Sequence, residues 1–311
     1  MKTAYNSKNN FKNFLYGTEN GIMILGNAEQ VLDVLLKKGF KNKIQMIFTS
    51  PPFPLNRKKK YGNLNGEEYV KWLVKFGPKF KQLLTTNGSI VIELGNAWEK
   101  NKPIVSTLSI KTLIRFQEDN KLRLCQEFIY FNPAKLPTPV QWVNVERIRV
   151  KDSFTRLWWM SAKSKPYARN RNVLVPYSRS MQTLLRNKKY NSGKRPSEHY
   201  IGKKSFLKNN GGAIPPNVII AANTTDDSNY INYCDKRNYS MHPARMPKSL
   251  AEFFIKFLTR KGDLVLDPFA GSNVTGYTAE CLGRKWISIE MIKEYAMGSK
   301  GRFKKTRINH R

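Results

Sequence analysis

The sequence predicts an α/β fold: a mostly parallel sheet in two regular halves, separated by an irregular insertion. Residues 22–49 have the pattern strand, helix, strand, which is the unit of a parallel sheet. Residues 263–267 form a second apolar strand that leads through a glycine-containing turn into a helix, and a further strand ends at Glu290. Between these halves, residues 133–245 lack a clean helical or strand period. We therefore expect one sheet built from both ends of the chain.

The charge of the chain indicates a polyanionic partner. Its 311 residues include 55 Lys and Arg against 22 Asp and Glu, a formal net charge of +33. Nucleic acid is the simplest partner for such a surplus, and a membrane surface is the alternative. No apolar stretch approaches the roughly 18 residues of a spanning helix, and the start of the chain leads into no signal-peptide core, so we expect a cytoplasmic protein.

The cysteines indicate neither disulfides nor a zinc site. Cys125, Cys234 and Cys281 are scattered and form no C-x-x-C pair. We expect reduced thiols and no bound metal.

The first half of the chain places two polar turns at the end of predicted strands. Residues 1–20 are polar and predict a flexible arm. Gly26-Asn27 follows the strand at 22–25, and Ser50-Pro51-Pro52-Phe53 follows the strand at 44–49. Because ligands of parallel sheets bind beyond the carboxyl ends of the strands, both turns fall at the ligand edge.

The Ser-Pro-Pro-Phe turn has the chemistry of a base-binding site. Two consecutive prolines lack N–H donors and fix their φ angles, so the strand must stop and the turn must be rigid. The turn then presents the Ser50 hydroxyl, carbonyl oxygens and the Phe53 ring, which suit a planar base with an exocyclic amine. An isolated Ser-Pro-Pro is equally typical of a simple strand-terminating turn.

After this turn, the chain predicts a basic run, helices and a further strand. The run at 57–60 favours phosphate contact, although a solvated charged loop has the same composition. Residues 66–84 have helical periodicity that Pro78 kinks or divides. The strand at 89–94 carries Glu93 at its end, where a carboxylate is often only a cap but here falls on the ligand edge. A helix at 106–119 and a strand at 125–131 complete this half.

The irregular insertion is rich in basic residues. In residues 147–151 the three cations alternate with apolar residues, which predicts that they share one face of an extended segment and read guanine edges or phosphates. An ordinary edge strand with a basic, wet side is equally compatible with this pattern. The tract 178–208 predicts a long basic loop that orders when DNA binds.

The last part of the chain carries a nucleoside-binding pattern. After a predicted helix at 249–258, the strand ending at Asp267 is followed by a turn containing Gly271, and Glu290 lies at the end of the next strand. Glycine lets a ligand approach the backbone, and a carboxylate about 20 residues further on can accept the two hydroxyls of a ribose. The pattern predicts a nucleoside cofactor at the same edge.

These motifs together resemble those of S-adenosylmethionine-dependent DNA amino-methyltransferases. The Ser-Pro-Pro-Phe turn precedes the cofactor turn, which is the order of the circularly permuted class, and its cytosine-N4 enzymes carry S-P-P-[YF] at this turn. The resemblance covers residues 22–295. It implies a Rossmann-like methyltransferase sheet, circularly permuted, with an inserted target-recognition region. The implied organisation is a flexible arm at 1–20, a catalytic domain at 21–132 and 211–300, a recognition region at 133–210 and a basic tail at 301–311.

The resemblance also implies roles for individual residues. The catalytic residues implied are Ser50, Pro51, Pro52, Phe53 and Glu93. The implied contacts of S-adenosylmethionine are Gly26, Asn27, His242, Pro243, Asp267, Phe269, Gly271, Ser272, Asn273, Thr275 and Glu290. The implied contacts of double-stranded DNA are Arg57, Lys58, Lys59, Lys135, Arg147, Arg149 and Lys151. Three positions depart from the family pattern: Asn27 replaces a frequent Asp, Asn273 a frequent Gly, and Glu93 a shorter Asp.

The expected function is protection of a restriction site, with CAGCTG as the candidate target and a cognate endonuclease encoded alongside. Cytosine-C5 chemistry needs a nucleophilic Cys, normally after proline, and none of the three cysteines follows proline. Adenine-N6 methylation usually has Asp or Asn where this chain has Ser50. An RNA amino-methyltransferase and a DNA-binding protein with a decayed cofactor site remain alternatives. The oligomeric state is not predicted.

Overall fold

A computed structural model describes residues 11–53, 66–99, 101–222 and 227–303. The strands in these ranges are β1 (Phe14–Gly17), β2 (Gly21–Leu25), β3 (Ile44–Thr49), β4 (Leu84–Gly95), β5 (Ala97–Trp98), β6 (Val105–Ser106), β7 (Arg123–Phe131), β8 (Phe154–Ser161), β9 (Gly193–Lys194), β10 (Tyr200–Ile201), β11 (Val218–Ile220), β12 (Leu264–Asp267) and β13 (Lys285–Glu290). The α-helices are α1 (Ala28–Lys37), α2 (Gly66–Val74), α3 (Phe76–Leu83), α4 (Leu108–Asp119), α5 (Arg179–Asn187), α6 (Ser228–Asp235), α7 (Lys248–Leu258), α8 (Val274–Cys281) and α9 (Lys293–Gly298).

Nine of the described strands form one sheet, in the order β1-β2-β13-β12-β3-β4-β8-β7-β11. Within this sheet of described strands, β1 pairs antiparallel with β2, and β8 pairs antiparallel with β4 and β7. The other pairs are parallel. The predicted α/β fold with a mostly parallel sheet is confirmed. The last two strands of the chain, β12 and β13, lie between the first parallel strands, β2 and β3. This order brings turns from both ends of the chain to one edge.

The interior of the sheet is apolar on both faces, as expected where helices cover a parallel sheet. All six residues of β3 are buried, and Val31, Leu32 and Leu35 of α1 pack into the same core. Hydrophobic burial of these continuous apolar strands is what makes their positions predictable from sequence.

The helical segment at 66–84 is divided, as predicted, into α2 and α3. Pro78 lies in the first turn of α3, where backbone N–H groups have no partner within the helix. A proline there loses no helical hydrogen bond, so the break falls just before it.

The predicted flexible arm at 1–20 is wrong over the residues that the structure describes. Residues 14–17 form β1, and Tyr16 is fully buried, with its hydroxyl hydrogen-bonded to Ser299. At the other end, Phe303 is fully buried and stacks on Trp286. In each case one aromatic side chain anchors a polar, basic segment, and average composition hides such an anchor.

The predicted recognition region does not form a single unit. Residues 169–216 form a separate compact unit, whereas residues 133–168 belong with the rest of the chain. The strand β8 lies inside the sheet, between β4 and β7. It was not predicted because Arg156 interrupts its apolar pattern.

The small unit, residues 169–216, is more regular than the predicted basic loop at 178–208. The helix α5 begins at Ser178, whose side chain accepts a hydrogen bond from the Met181 N–H. A short antiparallel pair, β9 and β10, follows, and the Tyr190 and Phe206 rings pack edge to face with centroids 5.4 Å apart. Helix capping and this ring contact supply local order that composition does not reveal.

Within the described ranges, no helix is both long enough and apolar enough to cross a membrane.

Candidate functional site

A cavity of about 680 Å³ opens at the carboxyl ends of the central strands. Its volume is in the usual range of small-molecule sites. The sequence-predicted residues that line it are Gly26, Asn27, Ser50, Pro51, Pro52, Phe53, Glu93, Lys135, His242, Asp267, Phe269, Gly271, Ser272, Thr275 and Glu290. Arg57, Lys58 and Lys59 lie outside the described residues. The permuted strand order therefore brings most of the predicted residues to one place.

Asp267 joins the end of β12 to the end of β3. Its Oδ1 accepts hydrogen bonds from Thr49 Oγ1 at 2.8 Å and from the Phe269 N–H at 3.1 Å, and its Oδ2 accepts one from Thr275 Oγ1 at 2.7 Å. Burial raises the pKa of Asp267 to about 6, although these donors favour the ionised form. The carboxylate fixes the glycine-containing turn after β12 directly beside Thr49, the residue that precedes Ser50.

The glycine turn has a left-handed backbone and a close neighbour, which together favour glycine. Gly271 has φ +50°, and a Cβ atom there would lie 2.9 Å from Nε2 of His242. The Gly271 N–H donates to Oε2 of Glu290 at 2.7 Å, and the Ile292 N–H donates to Oε1 at 2.8 Å. Burial raises the pKa of Glu290. The turn, the imidazole and the carboxylate thus form one tightly packed wall.

Two predicted cofactor contacts, Asn273 and Pro243, do not line the cavity. Asn273 is fully buried and does not line the cavity; it begins α8 with φ +56°, and its Oδ1 accepts hydrogen bonds from Gly276 N–H and Ser288 Oγ. Asn tolerates this left-handed backbone better than most residues, which explains its presence at a position where glycine is frequent. Pro243 is exposed and does not line the cavity, whereas its neighbour His242 does.

Asn27 lies at the cavity and also begins α1. Its Oδ1 accepts a hydrogen bond from the Glu29 N–H at 2.8 Å, so the side chain acts as an N-cap. Gly26 donates its N–H to the carbonyl oxygen of Glu290 at 2.9 Å. The turn after β2 and the end of β13 are therefore joined at the cavity.

Glu93 is a buried carboxylate at the end of β4. It accepts a hydrogen bond from Thr155 Oγ1 at 2.9 Å and another from the Ser50 hydroxyl. Burial raises the pKa of Glu93, while these hydrogen bonds and the charge of Lys135 act in the opposite direction. Because the Ser50 hydroxyl donates its hydrogen bond to Glu93, the lone pairs of the Ser50 oxygen are left to accept a hydrogen bond from a ligand.

The predicted cationic face at 147–151 is wrong. Arg147 has φ +56°, so the segment cannot continue as a strand. Arg149 turns inward, donating to the Pro103 carbonyl at 2.8 Å and pairing with Asp152 at 3.3 Å. Lys151 binds the carbonyl oxygens of residues 133 and 135. None of the three lines the cavity, and Arg147 alone of them has an exposed side chain without a partner among the described residues.

Lys135 was predicted as a DNA contact and lies at the cavity. Burial lowers the pKa of Lys135, against the nearby charges of Asp152 and Glu93. The charge of Lys135 in turn acts to lower the pKa of Glu93.

Several cavity residues were not predicted. The buried hydroxyls of Tyr69 and Tyr130 both have no hydrogen-bond partner in the described structure, and both residues line the cavity. Burial raises the pKa of Tyr130 to about 12, with a further contribution from Glu93. Asn132, Ser153 and Phe154 also line it, next to the unpredicted strand β8. If a strand had been predicted at 154–161, Ser153 and Phe154 would have been placed at the edge of the sheet where the cavity opens.

A buried ionic cluster behind the cavity was also missed. Asp227 pairs through one oxygen with Arg302 and through the other with Arg245, each at 2.6 Å. Arg302 in turn donates to the Ser272 carbonyl oxygen at 2.7 Å, and Arg245 donates to the His242 carbonyl oxygen at 3.2 Å. The cluster thereby joins the glycine turn to the loop that carries His242. Its members are far apart in sequence, so no local motif reveals them.

Comparison with protein families gives one matching family model, described as DNA methylase, over residues 44–300. Among curated proteins, the chain is 42% identical over 303 residues to the type II methyltransferase M.PvuII of Proteus hauseri, covering 96% of this chain and 89% of that protein. It is 25% identical to the type II methyltransferase M.HpaI of Haemophilus parainfluenzae, covering 86% of this chain and 70% of that protein.

Solved structures agree with these similarities. The structure described as PvuII DNA methyltransferase (cytosine-N4-specific) superposes with a TM-score of 0.75 at 36% identity, covering 94% of this chain and 90% of that one. A complex of M1.HpyAVI with SAM has a TM-score of 0.53 at 20% identity, covering 91% of this chain and 98% of that one. The second likeness concerns the fold alone.

Proposed function

The chain belongs to the DNA methylase family, and we propose that it transfers a methyl group from S-adenosylmethionine to the N4 amine of a cytosine flipped out of duplex DNA. One observation carries this proposal. The turn that presents Ser50 and the turn that follows Asp267 are joined by the 2.8 Å hydrogen bond between Thr49 and Asp267. This connection supports an amine-binding site and a cofactor site within one cavity.

The residues present fit S-adenosylmethionine. Gly271, at φ +50°, lets a ligand approach the backbone, and Glu290 offers carboxylate oxygens with lone pairs left over for ribose hydroxyls. Phe269, Ile289 and Ile292 supply apolar wall next to them. When bound, the cofactor supplies an electrophilic sulfonium methyl group.

Ser50 and Glu93 orient and polarise the amine. The exocyclic nitrogen of cytosine is a weak nucleophile because its lone pair is delocalised into the ring. The Ser50 hydroxyl donates a hydrogen bond to Glu93. This bond makes the Ser50 oxygen a better acceptor for an N4–H. The Pro51 carbonyl has no competing prolyl N–H and can accept the second N4–H. Together they favour a pyramidal nitrogen held in one orientation. The proton that the amine loses can pass through Ser50 to Glu93, whose pKa burial raises.

The base must leave the duplex to reach this turn. Phe53 offers a stacking surface, and its ring packs closely against Gly95, where a Cβ atom would lie only 2.5 Å from the ring. Tyr130 lies near Glu93, whose charge contributes to the raised pKa of Tyr130, and Asn132 lines the same cavity two residues further along the chain. Hydroxyl and amide groups such as these suit the O2 and N3 acceptors of cytosine.

We extend the proposal to the cellular role, supported by the similarity to type II methyltransferases. The candidate target is CAGCTG, in a cytosolic enzyme that protects DNA from a cognate endonuclease encoded alongside. The +33 charge supports attraction to duplex DNA, with strong dependence on salt. Lys135 and Arg147 keep their proposed contacts with DNA, as do Arg57, Lys58 and Lys59.

The experiment that tests the function is sequencing of DNA from cells expressing the protein, with methylation identified by base, atom and position. N4-methylcytosine at one recurrent sequence is expected. N6-methyladenine instead would support the alternative amine target, and methyl groups confined to RNA, or absent, would overturn the proposal. Calorimetry with S-adenosylmethionine separates a true enzyme from a DNA-binding protein with a decayed cofactor site, since the latter would show no binding.

A further inference from the structure

The loop of residues 133–152, termed the rim loop, leaves and rejoins the catalytic cavity at adjacent points. It begins after Asn132 and ends before Ser153, and both residues line the cavity. The Asn132 N–H donates to the Ser153 carbonyl oxygen at 2.8 Å, which closes the base of the loop. Whatever the rim loop contacts must therefore lie beside the cavity entrance.

The rim loop is braced from within before any partner arrives. Asp152 is the centre of this bracing: its Oδ2 accepts hydrogen bonds from Trp98 Nε1 at 2.8 Å and from Arg149 Nη2 at 3.3 Å. The Asp152 N–H donates to the Thr138 carbonyl oxygen at 3.2 Å. Lys151 Nζ ties down the other side by donating to the carbonyl oxygens of residues 133 and 135. A loop held in this way retains its shape when it meets a partner, so binding costs little ordering entropy.

The braced rim loop nevertheless exposes its aliphatic side chains. Val150 is 86% exposed, Leu136 76% and Ile148 60%, and Val145 and Val140 are also more than half exposed. Scattered surface aliphatics are normal, but a cluster on one rigid loop indicates a contact surface. Arg149, Lys151 and Asp152 are thus engaged in bracing the loop, while these five aliphatic side chains are left exposed to solvent.

The partner that fits this surface is a DNA base stack. The exposed Arg147 lies within the rim loop, and the chain carries a formal net charge of +33, both of which favour a polyanion over an apolar protein surface. Flipping a base into the neighbouring cavity leaves an apolar gap in the duplex. Rigid aliphatic side chains are the groups that DNA-binding proteins insert between bases.

We propose that the rim loop places an aliphatic side chain, from Leu136, Ile148 or Val150, into the gap that the flipped cytosine leaves. This inference rests on the proposed function, since it requires a base to be flipped. It changes the role expected of residues 147–151, from reading base edges through cations to holding the duplex open through apolar contact. The side chain would offset part of the unstacking cost and so increase the population of flipped base.

The test replaces the three aliphatic side chains together, in the full-length protein, as Leu136→Ser, Ile148→Ser and Val150→Ser. Turnover is measured on duplexes in which the target cytosine faces either guanine or an abasic position, and flipping is followed with 2-aminopurine at the target. On the paired duplex we expect at least about tenfold lower turnover and loss of the fluorescence increase, because flipping costs a few kcal/mol. Opposite the abasic position, where flipping is already favoured, the loss should fall to about twofold or less.

A matched control makes the same three replacements at exposed sites outside the rim loop, Leu124→Ser, Ile114→Ser and Val34→Ser. This control should methylate both duplexes like the wild type. Equal losses of the rim variant on both duplexes, or no loss on either, would overturn the proposal. A rim variant with unchanged methylation but altered sedimentation would show a protein contact instead, which also overturns it. Wild-type methylation of cytosine N4 in the same assay tests the proposed function separately.

Discussion

Thr155 Oγ1 donates a 2.9 Å hydrogen bond to the buried carboxylate of Glu93, on the neighbouring strand of the sheet. Thr155 lies at the start of the antiparallel strand β8, so an element outside the sequence-predicted sheet reaches the carboxylate that polarises Ser50. The hydrogen bond stabilises the ionised form of Glu93 against the burial that raises its pKa.

The first prediction concerns the pH dependence of turnover. Glu93 must be ionised to accept the Ser50 proton, so turnover rises with pH through the pKa of this carboxyl. Thr155→Val removes a donor to the ionised form and raises that pKa further, so the acid limb of the kcat profile moves to higher pH. The profile is measured at saturating DNA and cofactor.

Thr107→Val is the matched control for this experiment. Thr107 is exposed and makes no side-chain capping bond, so its replacement should leave the acid limb in place. If the acid limb of Thr155→Val moves to lower pH or does not move, ionisation of Glu93 does not control turnover.

The second prediction compares two glycines with positive φ. Gly271→Ala and Gly283→Ala both force alanine into the left-handed region, at φ +50° and φ +68°, and each should lose about 1–2 kcal/mol of stability. The new Cβ meets Nε2 of His242 at 2.9 Å at position 271, whereas at position 283 no atom of the described residues lies within 4 Å. Calorimetry should show S-adenosylmethionine binding about tenfold or more weakly to Gly271→Ala, and unchanged in Gly283→Ala.

The double variant Gly271→Ala with His242→Ala isolates the steric part of the loss in S-adenosylmethionine affinity. Removing the imidazole should recover part of the affinity if the new Cβ and the ring collide. Identical affinities of Gly271→Ala and Gly283→Ala would mean that the wall formed by Gly271 and His242 does not contact the cofactor.

The sequence predicts the parallel strands well because each is a short apolar run between turns. Predicted strands at 44–49 and 263–267 correspond to Ile44–Thr49 and Leu264–Asp267. Glycine and proline mark their ends through backbone constraints that act locally. The turns carrying Ser50 and Gly271 can therefore be located from the amino-acid sequence alone.

The missed features depend on contacts between distant parts of the chain. Asp227 acquires its role only when Arg245 and Arg302 fold against it, and Tyr16 only when it meets Asn273 and Ser299. The periodicity of apolar residues within a short segment cannot reveal such contacts. The same limit applies to the predicted cationic face, where a single positive φ at Arg147 replaces the expected strand with a braced loop.

The third prediction concerns the buried cluster around Asp227. Its carboxylate oxygens serve one arginine each, with side chains only 6% exposed for Asp227 and 3% for Arg302. Asp227→Asn leaves two guanidinium groups without a counter-charge and should lower the free energy of unfolding by about 3 kcal/mol. The exposed pair of Asp33 with Lys79 provides the control, and Asp33→Asn should cost less than about 1 kcal/mol. Urea denaturation gives both values.

A more conservative variant separates positioning of the cofactor turn from stability. Arg302→Lys keeps the charge but loses the planar guanidinium group, which contacts Asp227 and also the carbonyl and hydroxyl oxygens of Ser272. S-adenosylmethionine should bind about tenfold more weakly, while kcat at saturating cofactor changes little. A variant that loses stability but retains full cofactor affinity would assign the cluster a purely structural role.

The last prediction concerns Ser50 itself. Ser50→Ala removes the hydroxyl that links the amine to Glu93 but leaves the glycine turn and Glu290 intact. We expect kcat to fall by about a hundredfold and the Kd of S-adenosylmethionine to change by less than about twofold, because an oriented proton acceptor contributes to the reacting state only. Ser164→Ala, at an exposed serine, is the control and should change neither quantity. Single-turnover methylation and calorimetry measure the two quantities. Unchanged turnover in Ser50→Ala would leave the Pro51 carbonyl to orient the amine without the hydroxyl, and would remove Glu93 from the proton path.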